Sequence, residues 1–266
     1  GIVNGLSYNS DGTGGVLIFE IIEVGENRNL EKDNMMEGPH VKSTGNLGNI
    51  LQESIDIGLS VVKSILQRDI IDLPNVKELY CQFTKKQFHL HVPMGSISKD
   101  GPSAGMAITL ALMSMALQKP IDPMLCMTGE ITLRGKILPI GGLKEKLLGA
   151  KMYGMKRVFI PQGNRNDVIE GMMYLDDSVL PNKEMEDLNH VNELSLVYEK
   201  MGLQATYVKD IYDVLPLVWP DIKLKPLTQE EHNLSEGKKN HEMSLSSTNT
   251  TTNNNSNSNN AMTSKF

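Results

Sequence analysis

Two rhythms of apolar residues run through positions 1–226. Gly15-Val16-Leu17-Ile18-Phe19-Glu20-Ile21-Ile22 is apolar and β-branched, and with the Val3 to Tyr8 segment before it predicts a strand pair. From Asn46 the spacing changes: Leu47, Ile50, Leu51, Ile55, Leu59, Val62 and Leu66 recur every three or four residues. That is one long amphipathic helix, with Ser43-Thr44-Gly45 as its start signal. Phe88 to Val92 reads as a strand closed by Pro93, and Ser103 to Leu117, apolar nearly all round, as a buried helix. A strand at Met124 to Met127 leads into a hairpin around Arg134-Gly135, a helix follows Gly141-Gly142, and Arg157 to Ile160 is a further strand before Pro161. Hairpins mixed with helices predict an α+β fold rather than a doubly wound α/β sheet.

The pattern stops near Leu227. Ser246 to Asn260 consists only of Ser, Thr and Asn, which cannot bury enough apolar surface to offset its ordering entropy, so 227–266 is expected to be a disordered tail. The Asn249 sequon there is expected by chance in such a tract, and the final Ser264-Lys265-Phe266 departs from a Ser-Lys-Leu peroxisomal ending at its last residue. With 26 Lys plus Arg against 32 Asp plus Glu, the net charge of -6 lacks the cationic surplus of a nucleic-acid binder. No apolar run reaches the roughly 18 residues of a transmembrane helix. Two cysteines, Cys81 and Cys126, can build neither a disulfide framework nor a four-ligand zinc site. A chain starting at Gly1 reads as a piece of something longer. Basic residues dominate between Glu130 and Arg157 and acidic ones between Arg165 and His190, both expected to be solvated faces.

Candidate chemistry centres on Lys99-Asp100-Gly101-Pro102-Ser103-Ala104-Gly105, where a serine stands between glycines at the start of a buried helix. Unpaired helix N–H groups and the helix dipole favour developing negative charge, as an acyl-transfer nucleophile requires, although an N-cap serine has the same signature. An α/β-hydrolase elbow needs a strand running straight into the serine, yet about ten loop residues separate Val92 from Ser103. The downstream histidines, His190, His232 and His241, lie in the acidic stretch or tail, poor places for an oriented base. His89 and His91 face one way on their strand without a third metal ligand, and Gly129 to Gly135 fails as a P-loop. The remaining base is a lysine of Gly141-Gly142-Leu143-Lys144-Glu145-Lys146-Leu147-Leu148. An ordinary lysine is neutral in about one molecule in a thousand at pH 7.4, so only a desolvated one can serve. Lys144 and Lys146 flank the apolar face at similar angles, and periodicity does not choose between them.

Three blocks in order, Lys99 to Gly105, Met127-Thr-Gly-Glu-Ile-Thr-Leu-Arg-Gly135 and Leu138-Pro-Ile-Gly-Gly-Leu-Lys-Glu-Lys146, resemble the proteolytic domain of Lon, the ATP-dependent serine protease. Further similarity runs from Gly1 through Gln52-Glu53-Ser54 and His89 to Pro93 to the Asp210–Leu217 segment. The resemblance implies a Ser103–Lys146 dyad, with Thr128 orienting the lysine, Asp100 and His91 as lesser site residues, and the Gly101 and Ala104 backbone at the oxyanion. It also implies that 1–226 is one Lon-type proteolytic domain with an insertion at about 164–199. No cofactor is expected in this chain; ATP and magnesium belong to an ATPase module elsewhere in a longer, hexameric protein acting on unfolded or damaged proteins. Met94 stands where many relatives carry an acid, and Ser98 where proline is common. The expected compartment is the mitochondrial matrix, with the cytoplasm as the bacterial alternative. A non-proteolytic Lon-like structural module and a small-molecule kinase with a Gly-rich phosphate site are the rival readings.

Deleting 227–266 is expected to leave the thermal midpoint and the oligomeric state unchanged. A fall in midpoint beyond about 2 °C in a melting experiment would show that the tail packs.

Overall fold

The computed structural model describes residues 1–9, 11–26, 38–173 and 193–226. The expected tail, Asn249, Ser264-Lys265-Phe266, His190, His232, His241 and most of the 164–199 insertion lie outside these residues. The first strand pair forms as β1 (Ile2–Tyr8) and β2 (Gly14–Glu26), antiparallel with Val3 opposite Phe19. β3 (His40–Thr44) and β4 (Lys86–His91) extend the sheet on one side. β5 (Leu125–Met127), β8 (Arg157–Pro161) and β9 (Gln204–Val208) extend it on the other, giving the order β3-β4-β2-β1-β5-β8-β9. β1, β2 and β4 run antiparallel, whereas β3–β4, β1–β5, β5–β8 and β8–β9 are parallel. The sheet is mixed rather than doubly wound, with antiparallel pairs at its centre and parallel pairs toward both edges. β6 (Glu130–Ile131) and β7 (Ile137–Leu138) form the separate hairpin around Arg134-Gly135.

The long amphipathic helix is α1 (Asn49–Gln67), which buries Leu51, Ile55, Val62 and Leu66 as the spacing predicts. It starts later than Ser43-Thr44-Gly45, because Ser43 and Thr44 belong to β3. Gly48 offers no side-chain cap; Asp100, from a distant loop, accepts from the Leu51 N–H at 3.0 Å instead. The buried helix is α3 (Gly105–Leu117), against which α1 packs, and it is preceded by a 3-10 turn over Pro102–Ala104. α2 (Val76–Lys85), a helix the pattern did not single out, buries Val76 and Phe83.

Side chains alternate across β1, so Val3 joins the core of α1 and α3 while Leu6 joins a second core on the opposite face. The second core includes Leu143 and Leu147 of α4 (Leu143–Met152) and Val197 of α6 (Glu193–Met201), with α5 (Arg165–Met173) alongside. α7 (Ile211–Val218), capped by Asp210 through the Tyr212 and Asp213 N–H groups, closes the first core with Ile211, Val214 and Leu215. Cys81 is exposed and Cys126 buried, both as free thiols. Among the described residues no helix is long and apolar enough to cross a membrane.

The seat of α4 on the sheet is unusually close. A Cβ on Gly149 would lie 2.5 Å from the Gly14 carbonyl carbon, and one on Gly14 would lie 1.7 Å from the Glu145 carbonyl oxygen. Backbone therefore packs on backbone where β2 begins, and this contact fixes the height of α4 above the sheet. Gly149→Ala is expected to lower stability by about 1–3 kcal/mol through overpacking, or very roughly 2–10 °C in thermal midpoint, and to lower any activity that depends on α4. A wild-type midpoint for the variant would contradict this packing account.

Candidate active site

Ser103 and Lys146 line one cavity of about 300 Å³ together with Asp100, Gly101 and Ala104. They come from opposite layers, Ser103 from the turn before α3 and Lys146 from α4, and the β1–β2 hairpin, through Ser7, Tyr8 and Leu17, forms the wall between them. Ser103 does not stand at an N-cap: the cap positions of the 3-10 turn and of α3 are Gly101 and Ala104, and Ser103 lies inside the turn. Among the described residues that hydroxyl has no hydrogen-bond partner, and none joins it to Lys146.

The two candidate lysines, alike by periodicity, are separated by packing. Lys146 is 3% exposed, and its Nζ donates to Thr128 Oγ1 at 3.2 Å. Lys144 is half-buried on the side of α5, with its Cβ near Gly171. Burial pushes the Lys146 pKa down to about 8, and among the described residues no carboxylate is paired with it to offset the lost hydration. Thr128 is fully buried just past β5, where its hydroxyl accepts from Lys146 and donates to the Ser103 carbonyl at 3.3 Å. The same carbonyl accepts the Gly129 N–H at 2.8 Å, and the Gly129 carbonyl accepts the Met106 N–H at 3.0 Å. The serine turn is thus tied to the residue that holds the amine.

Asp100 is exposed at the cavity rim, and its Oδ1 accepts both the Leu51 N–H at 3.0 Å and the Gly101 N–H at 2.9 Å. The Gly101 N–H, an expected oxyanion donor, is therefore engaged by a carboxylate here. Gly105 N–H is likewise bound by the Pro102 carbonyl. His91 lies apart: it is exposed at the end of β4, does not line the cavity, and shares the Thr44 hydroxyl with His89, at 2.8 Å for His91 Nδ1 and 2.9 Å for His89 Nε2. Tyr8, Asn9, Ile97 and Tyr153, which no motif singled out, also line the cavity. Their signal is tertiary, because they come from three segments far apart in the chain. Lys99, in the motif but given no role by it, is 6% exposed, and burial lowers its pKa too.

A buried amine leaves a trace in stability. With a folded pKa of about 8 against 10.5 unfolded, the unfolded chain binds the extra proton between those values, so stability must rise with pH across that window. The penalty for the charged form is fully present below about pH 8, is gone above about pH 10.5 and amounts to about 3 kcal/mol. Lys146→Met is therefore expected to gain on wild type by about that amount at pH 7 relative to pH 10.5, measured by urea unfolding. A pH-independent difference between the two proteins would contradict the burial account.

Comparison with known proteins identifies the architecture. The Lon protease (S16) C-terminal proteolytic domain matches residues 1–198. The chain is 48% identical over 234 residues to "Lon protease homolog 2, peroxisomal" of Kluyveromyces lactis, covering 88% of this chain and 23% of that protein. It is 36% identical over 201 residues to "Lon protease homolog, mitochondrial" of Caenorhabditis elegans, covering 76% of this chain and 19% of that one. It is 42% identical over 170 residues to "Lon protease" of Clostridium beijerinckii, covering 64% and 19%. The chain thus spans roughly a fifth to a quarter of the length of these relatives. With a match over most of its length and a site built from the same three sequence blocks, the chain belongs to the Lon C-terminal proteolytic domain family.

Proposed function

We propose that this chain hydrolyses peptide bonds as the serine endopeptidase part of a longer Lon-type protease, with Ser103 as nucleophile and Lys146 as general base. The observation that carries the reading is a buried lysine amine, without an ion pair among the described residues, held by Thr128 in the cavity that Ser103 also lines; burial lowers its pKa to about 8. About one such amine in ten is neutral at pH 7, against fewer than one in a thousand for an ordinary lysine.

Ser103 Oγ attacks the scissile carbonyl carbon, and its proton passes to the lone pair of neutral Lys146 Nζ. The resulting ammonium gives that proton to the leaving nitrogen as the C–N bond breaks. Water then attacks the ester, losing a proton to Lys146, which returns it to Ser103 Oγ as the acid product departs. Thr128 Oγ1 keeps a lone pair on the amine throughout, so that its rotation is restricted. Free-enzyme hydrogen bonds of this kind are often open and close on substrate, which suits a Ser103 hydroxyl not yet bonded to Lys146. Gly101 and Ala104 N–H groups are assigned to the oxyanion, with Gly101 released from Asp100 when substrate binds.

ATP-driven unfolding, magnesium binding and hexamer assembly are assigned to the remainder of the longer protein, and unfolded or damaged proteins to its substrates. The compartment is organellar: the mitochondrial matrix is the expectation, and the relative named as peroxisomal makes the peroxisome its competitor. Co-fractionation of the tagged protein with matrix markers of each organelle decides between them.

Peptidase assays and labelling by a serine-reactive phosphonate test the chemistry. Ser103→Ala is expected to remain folded, with peptide turnover below about a thousandth of wild type and no labelling. Lys146→Arg is expected to be inactive, since a guanidinium cannot accept the proton, whereas Lys144→Ala keeps most activity. Activity is expected to rise about tenfold per pH unit below about 8 and to level off above it. An active Lys146→Arg enzyme would contradict the assignment, and absence of phosphonate labelling in wild type would favour a non-hydrolytic module.

A further inference from the structure

The loop from Met94 to Gly101 leads from β4 to the serine turn, and it is exposed along Met94–Ser98. Lys99 is its buried residue. The Lys99 Nζ donates to three backbone carbonyls, those of Met94 at 2.7 Å, Gly45 at 2.9 Å and Ile97 at 3.1 Å. Among the described residues Lys99 forms no ion pair. Its own backbone completes the tie: Lys99 N–H donates to Asn46 O at 3.0 Å, and Lys99 O accepts from Gly48 N–H at 2.8 Å. The serine loop and the β3–α1 turn are thereby joined at a single residue.

Three features make this a built arrangement. The carbonyl oxygens of Gly45, Met94 and Ile97 converge on one point, where their like partial charges repel unless a cation with several donors stands between them. An ammonium supplies three protons from one small centre and has no acceptor; a guanidinium spreads its donors over a plane. Two of the contributing residues, and the neighbour between the segments, hold left-handed backbone: Gly45 at φ 123°, Met94 at φ 66° and Asn46 at φ 58°. Glycine and asparagine adopt such backbone readily, whereas at Met94 it is unfavourable and persists only where surrounding contacts over-determine it. Finally, Asp100 follows Lys99 directly and binds the Leu51 and Gly101 N–H groups, so the direction of the chain into Ser103 is set two residues after the tie.

We propose that Lys99 is a positioning residue for the nucleophile: by gathering the Gly45, Met94 and Ile97 carbonyls it locks the 94–101 loop onto the start of α1 and fixes where the Ser103 hydroxyl meets the substrate. The role is distinct from that of Lys146, which faces the reacting atoms, because the Lys99 amine is spent on backbone oxygens. The inference rests on Ser103 being the nucleophile.

The test is a graded series, Lys99→Arg, Lys99→Gln and Lys99→Met, in which the donors are misplaced, reduced and removed. Second-order labelling of Ser103 by a phosphonate, located by peptide mapping, is measured beside peptide kcat, KM and the pH profile. The expected result is folded proteins by circular dichroism in which labelling and kcat fall together, by at least about tenfold in Lys99→Met, with Lys99→Gln between Met and wild type. KM is expected to change less than about twofold, and the pH midpoint to stay at the wild-type value, because the base is untouched. Equal labelling of folded Lys99→Met and wild type would overturn the proposal. So would a displaced pH midpoint, which would make Lys99 a titrating participant, or failure of all three variants to fold, which would make it a general stability residue. Absence of Ser103 labelling in wild type would instead overturn the nucleophile reading, so the two failures are distinguishable.

Discussion

The site depends on keeping one amine out of water without giving it a counter-ion. Lys146 is 3% exposed and, among the described residues, bonds only a neutral hydroxyl, so hydration is lost and no carboxylate among them restores it. Its pKa falls to about 8, where a lysine becomes a usable base. An aspartate within reach would remove that property by favouring the charged form. Asp100, the carboxylate that lines the same cavity, is directed instead to the backbone of Leu51 and Gly101.

The fold supplies this environment through contacts that admit little adjustment. Gly14 and Gly149 let α4 settle on the first residues of β2 closely enough for buried Lys146 to reach Thr128. Thr128, just past β5, holds the Lys146 amine and the Ser103 carbonyl with one hydroxyl, so that the serine turn and the buried amine share a fixed point. On the other side, Lys99 and Asp100 fasten the loop before Ser103 to the β3–α1 turn and α1. The two lysines of the cavity thus have opposite fates. Among the described residues one meets a single hydroxyl, as the proposed base requires, while the other is surrounded by three backbone carbonyls.

Much of this was legible in the chain because it is local. The strand pair of residues 3–8 and 15–22, the buried helix before Leu117 and the α1 stripe follow from apolar spacing, and the Ser103 and Lys146 blocks follow from short motifs. What could not be read is tertiary. Ser43-Thr44-Gly45 has the composition of a helix start, but those first two residues pair with β4, and the cap of α1 arrives from Asp100 about fifty residues away. Lys144 and Lys146 are equivalent by angle around their helix and become different only when α5 lies beside one and the cavity beside the other. His91 has the composition of a site residue, yet its ring is turned to Thr44 at the sheet edge. Tyr8 and Tyr153 line the same cavity from segments that share no pattern.

Everything proposed for the cavity turns on Lys146 being a desolvated amine beside Ser103. Its ionisation can be followed directly by nuclear magnetic resonance of protein carrying isotope-labelled lysine, with the Lys146 signal assigned by its loss in Lys146→Arg. The account predicts a titration midpoint near 8, well separated from the exposed lysines. A Lys146 midpoint at the ordinary value of about 10.4 would contradict it.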